Sequence, residues 1–140
     1  MKRNGFTLIE LIIVIAIISI GFGVSILKFS IVDKIGARNE IRTFVDDYSY
    51  LRALALSTGD IHYIRFTSDG YEIDFNKKKD RDLKYIESLN VNKIEFYPNG
   101  YVNPKKTKED HNLVFISKKD PNIKWHFTIQ AVGGYLSEKD

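Results

Sequence analysis

The sequence contains no cysteine. Disulfides, thiolate metal sites, a cysteine nucleophile and a lipidated cysteine anchor are thereby all excluded. An exported domain of this composition must be held together by packing. Proline is scarce as well, with three residues and the first of them at Pro98, so no proline interrupts a helix before that point. Charge is absent from residues 11–27 (LIIVIAIISIGFGVSIL). There is no nucleophile motif, no phosphate-binding glycine loop, no internal repeat and no low-complexity tract. What remains is a 140-residue chain with 44% apolar and 28% charged residues, enough for one folded domain of modest core.

The formal net charge of +3 is unevenly placed. Lys2 and Arg3 precede the apolar run, and Lys28 closes it. From residue 31 onward, 18 basic residues face 17 acidic ones, a balance of +1. A pI near 9.0 therefore overstates how basic the globule is, and charge gives little support for nucleic-acid binding.

The N-terminus carries most of the functional information. Two positive charges followed by an apolar stretch predict a leader that stays in the cytoplasm while the rest is exported. Residues 11–27 would make roughly 26 Å of helix, and residues 6–27 about 33 Å, enough to span a bilayer core. An ordinary secretory signal would be cut on the far side, and Gly21-Phe22-Gly23 or Gly23-Val24-Ser25 could serve. That reading leaves Glu10 unexplained. A carboxylate among Ile9, Leu11 and Ile12 costs up to about 3 kcal/mol at mid-membrane, and ionisable residues so placed usually have a function.

Gly5-Phe6-Thr7-Leu8-Ile9-Glu10 resembles the type III signal of type IV prepilins and pseudopilins. The resemblance implies that a membrane prepilin peptidase cuts between Gly5 and Phe6 on the cytoplasmic face and N-methylates Phe6. It further implies that Glu10, fifth after the cut, offsets the terminal amine of a neighbouring pilin subunit during assembly. Many major pilins carry a proline within this helix, and this chain has none; Gly21 and Gly23 are its only helix-weakening residues. Small residues at such positions in membrane helices also simply permit close helix–helix contact.

Beyond the apolar run, Ile41, Phe44, Val45, Tyr48, Leu51 and Ala55 recur at three and four residues, the stripe of an amphipathic helix. Arg38, Glu40, Arg42, Asp46 and Asp47 fall on its other faces. Ser57-Thr58-Gly59-Asp60 supplies a stop, and Gly36 is the expected place for a break. Strands are predicted at 61–67, 71–75, 91–96, 113–117, 123–130 and 135–136, with turns at Ser68-Asp69-Gly70 and Tyr97-Pro98-Asn99-Gly100. The expected fold class is α+β: a long N-terminal helix, half transmembrane and half amphipathic, packed on a small antiparallel β-sheet domain. The expected division is a leader at 1–5, an assembly helix at 6–30 and a globular domain at 31–140, with its helix at 31–57 and its β-rich part at 60–137. IEFYPNGYV (94–102) and WHFTIQAVGG (125–134) resemble the GspH/FimT class of minor pseudopilins, which implies a helix on two small sheets.

Other candidate sites are weaker. His62, His111 and His126 are dispersed, without metal-ligand spacing. Asp80-Arg81-Asp82 and Glu109-Asp110 read as solvated loops. Lys77, Lys78 and Lys79, with Lys105, Lys106 and Lys108, are candidate DNA contacts, because some FimT-like pilins bind DNA during uptake. They read more simply as loop tips with acids beside them, and the tail from Gly134 is net acidic. The sequence thus predicts a non-enzymatic subunit of a type IV pilus-like filament, without cofactor or metal. Its partners would be other pilins, the prepilin peptidase and the membrane, which it crosses once before moving to an extracellular filament. A DNA-binding competence pseudopilin is the alternative. Motility, adhesion and type II secretion are not separated by sequence.

Overall fold

A computed structural model describes residues 8–74, 79–106, 112–130 and 133–139, and only the backbone of residues 20–30, 79, 105 and 106. Leu8–Thr58 form a single helix, α1. Nine strands follow: β1 (His62–Phe66), β2 (Gly70–Ile73), β3 (Lys79–Asp82), β4 (Ile86–Ser88), β5 (Val91–Phe96), β6 (Val102–Lys106), β7 (Asn112–Ser117), β8 (Lys124–Ile129) and β9 (Leu136–Lys139). They make two antiparallel sheets, β3-β2-β1-β5-β6 and β4-β7-β8-β9. The chain divides into two compact units, residues 1–35 and 36–140.

In the second unit the predicted stripe is the buried one. Ile41, Phe44, Tyr48, Leu51 and Ala55 are buried and Val45 is half-buried, while Ala37, outside the predicted stripe, extends it; the buried positions fall at alternating steps of four and three that keep one face on the sheets. Phe44 joins both layers. Its ring meets Tyr71 of the first sheet edge-on at 5.6 Å and Phe115 of the second at 4.9 Å. Complete burial of such a ring contributes about 1.5–3 kcal/mol, before the gain from edge-to-face geometry. At the predicted stop, the Gly59 N–H donates to the Ala55 carbonyl at 3.1 Å, closing the helix as φ turns positive.

Four expectations are corrected. The helix does not break at Gly36 but runs through it. A Cβ there would lie 2.4 Å from the Tyr85 ring, so the glycine serves close approach of that ring. Asp80-Arg81-Asp82 is not a loop but strand β3, registered on β2 through Tyr71↔Arg81. The lysine clusters are not simply loop tips. Lys79 opens β3, and Lys105 and Lys106 end β6, while Lys77, Lys78 and Lys108 lie outside the described residues, as do Phe75, Glu109, Asp110 and His111. Finally, the last strand, expected at 135–136, runs over Leu136–Lys139. Polar composition hid β3, and Pro104 masked β6, where a missing N–H is tolerated on the free side of an edge strand.

Among the described residues, no helix is long and apolar enough to cross a membrane. The second half of the 11–27 run lies where side chains are not described.

Candidate functional site

The helix of the first unit begins with an apolar, outward-facing segment. Leu8, Ile9, Leu11, Ile12 and Ile13 are all exposed, Ile9 by 67%. An apolar surface this continuous marks an interaction site. Glu10 is the one acidic residue of the first helical turn and is itself exposed. Gly5 and Phe6, the expected cleavage and methylation positions, lie outside the described residues.

The globular unit is built around polar clamps on α1. The Glu40 carboxylate accepts three backbone N–H bonds, from Lys84 at 2.7 Å, Tyr85 at 3.0 Å and Ile86 at 3.1 Å. That is a charge-assisted fastening of the β3–β4 connection to the helix. Asp47 accepts from Arg81 Nε at 2.9 Å, from the Arg81 terminal nitrogen at 3.0 Å and from the Tyr71 hydroxyl at 2.8 Å. Burial and then the Asp47 carboxylate hold the Tyr71 phenol well above its ordinary range, so it stays a donor. The Asp47 bond likewise raises Arg81. The next residue, Tyr48, donates to the Gly134 carbonyl at 2.8 Å, and one turn on Arg52 donates to that of Gly133 and covers the Tyr135 ring at 3.9 Å. Gly133 and Gly134 take φ of +79° and +63°. A Cβ on Gly134 would lie 2.4 Å from Val102, so only glycine fits this turn. These clamps fasten the β-strands and the 133–134 turn of the globular unit to α1.

Of the lysine clusters, the described members Lys79, Lys105 and Lys106 stand on two different strands. β3 and β6 are the two opposite edges of the first sheet, four strand spacings or about 19 Å apart. Lys105 pairs in register with Lys93, and Lys79 with Ile73. His62 stands in β1, with Nε2 3.2 Å from the Thr58 hydroxyl, and His126 stands in β8. Among the described residues no group of three or more His, Cys, Asp or Glu could hold a metal ion.

Residues 1–26 match the model of the prokaryotic N-terminal methylation motif. That motif is the type IV pilin signal. It indicates a type IV pilin-like protein, one of a generally structural kind that assembles with other pilins after peptidase processing. No curated protein and no solved structure matches the chain.

Proposed function

We propose that this chain is a minor pilin or pseudopilin subunit of a type IV pilus-like filament. The observation that carries the reading is the methylation motif over residues 1–26, running into an exposed apolar helix whose first turn holds Glu10. The peptidase cuts between Gly5 and Phe6 and methylates Phe6. The helix anchors the chain in the membrane until assembly, when Glu10 meets the terminal amine of a neighbour. A helix on two small antiparallel sheets supports placement with the GspH/FimT class. Recovery of the chain in sheared filament fractions, dependent on a prepilin peptidase, tests this role.

A DNA-uptake role on the same architecture is disfavoured by the separation of the two lysine-bearing edges. Non-specific binding at physiological salt is about 10⁻⁴–10⁻⁶ M and scales with phosphates neutralised. The chain in detergent is expected to bind duplex DNA at the weak end of that range. Changing Lys77–Lys79, or Lys105, Lys106 and Lys108, to glutamine should leave affinity unchanged. Titration against salt concentration checks this. Micromolar or tighter binding near 150 mM salt, lost in either variant, would favour DNA uptake instead.

A further inference from the structure

Arg38 and Arg42 fall about 40° apart around α1, and both are exposed. Like charges at this spacing weaken a helix by a few tenths of a kcal/mol, a cost that a bound anion would remove. Among the described residues no ion pair reaches either arginine. Beside them runs the free edge of the second sheet, strand β9. Glu138 stands opposite buried Phe127 in the register of β9 on β8, and Trp125 opposite buried Phe115 in that of β8 on β7. Cross-strand partners share a face, so both side chains lie on the side of the sheet that packs on the helix.

Arg38, Ile41, Arg42, Val45, Trp125 and Glu138 line one groove of about 430 Å³, a size ordinary for a small-ligand site. Its chemistry is mixed. Two guanidinium groups offer forks to a phosphate. One carboxylate and one indole face offer a seat to an ammonium. Glu138, exposed at the rim, makes no ion pair with either arginine. Among the described residues no cation stands over the Trp125 ring. Opposite charges thus share the groove without neutralising each other, which suits a ligand that itself carries both charges close together.

We propose that this groove takes the zwitterionic headgroup of a membrane phospholipid. The phosphate lies on Arg38 and Arg42, and the ammonium lies between Glu138 and Trp125. A bilayer is the source because the chain supplies the tether, so the inference rests on the membrane-anchored reading above. Residues 11–27 carry no charge, α1 is continuous past them, and Arg38 follows Leu27 by only eleven positions. A site tethered this closely meets headgroups at a high effective concentration, so weak intrinsic affinity suffices. Arginine and tryptophan are also residues suited to the headgroup level, where a polar end meets an apolar body. Held this way, the globular unit rests on the bilayer before assembly and lets go on entering a filament.

Trp125 is the chain's single tryptophan, so its fluorescence reports on the groove alone. The full-length chain is placed in nanodiscs of phosphatidylethanolamine with phosphatidylcholine, in nanodiscs of phosphatidylglycerol, and in maltoside detergent. Protection of Trp125 from acrylamide quenching is then compared. The expected result is several-fold greater protection in the zwitterionic nanodiscs than in detergent, with less in phosphatidylglycerol, whose phosphate has no ammonium beside it. Glu138→Gln should remove that preference, and Arg38→Gln with Arg42→Gln should abolish protection in both bilayers. Free O-phosphoethanolamine, titrated onto the chain in detergent, should protect Trp125 at several-fold lower concentration than inorganic phosphate. Stronger protection in phosphatidylglycerol, unaffected by Glu138→Gln, would make the groove a plain anion site and overturn the proposal. So would protection that is equal in all bilayers and indifferent to the arginines, or duplex DNA protecting better than phosphoethanolamine. Free phosphoethanolamine acting while the nanodiscs show no difference would overturn the lipid as the source. A chain that stays in no bilayer, yet still responds to free phosphoethanolamine, would count against the membrane-anchored reading and not against the chemistry of the groove.

Discussion

Replacing Glu10 by leucine is expected to leave the chain in the membrane and keep it out of filaments. Insertion should be intact or slightly improved, because the change removes a charge from an apolar segment. Two roles for the carboxylate predict different sizes of effect. As an exposed helical residue, Glu10 contributes to α1 itself at most about 0.5 kcal/mol through its neighbours on the helix. Such a loss is negligible for a helix running from Leu8 to Thr58. As the counter-charge to a neighbour's amine, its removal strands a cation in an apolar interface at about 3–5 kcal/mol, which is a hundredfold or more in an association constant. Quantifying the variant in membranes and in sheared fractions separates the two. Membrane levels equal to wild type with sheared material reduced about a hundredfold or more is the expected outcome. Normal incorporation would leave Glu10 with only its contribution to α1.

The second large effect is expected at Asp47. Asp47→Ala removes at once the acceptor of two Arg81 bonds and of the Tyr71 hydroxyl. The Arg81 side chain is 33% exposed and that of Asp47 15%, so water reaches part of the site. The cost should fall below the full buried-pair range, at about 2–4 kcal/mol. Asp47→Asn keeps an acceptor and should lose less. Arg81→Met combined with Asp47→Ala should lose less than the two single changes added together, because no stranded cation remains. Urea midpoints of the chain in detergent measure this. Amide exchange should locate the damage in β3, whose charged KDRD sequence has little strand preference of its own.

That strand illustrates where the sequence was legible and where it was not. The helical stripe from Ile41 to Ala55 could be read because burial follows a period that the backbone imposes. The strands around Ile64, Ile94 and Phe115 could be read from their β-branched and aromatic content. β3 could not, since it is held by pairing with β2 and by a carboxylate 34 residues earlier in the chain. The partners of Asp47 and Glu40 could not be read, because helical spacing gives a direction and says nothing of what packs there. Gly36 looked like a break because its steric role depends on Tyr85, far along the chain. The lysines could be counted but not placed, and only the strand order sends Lys79 to one edge and Lys105 and Lys106 to the other. The N-terminal signal, by contrast, is a local string, and residues 1–26 match the methylation-motif model without help from the fold.

The central claim is that this string is processed as a prepilin signal, and the mature N-terminus tests it most directly. The chain is co-expressed with a prepilin peptidase, recovered from membranes and analysed by mass spectrometry of the intact protein and its N-terminal peptide. The account predicts loss of Met1–Gly5 and a single methyl group on the amine of Phe6, with a bulky residue in place of Gly5 blocking the cut. A mature chain beginning after Gly23 or Ser25, or one that keeps Met1 while the peptidase processes a control prepilin, would contradict it.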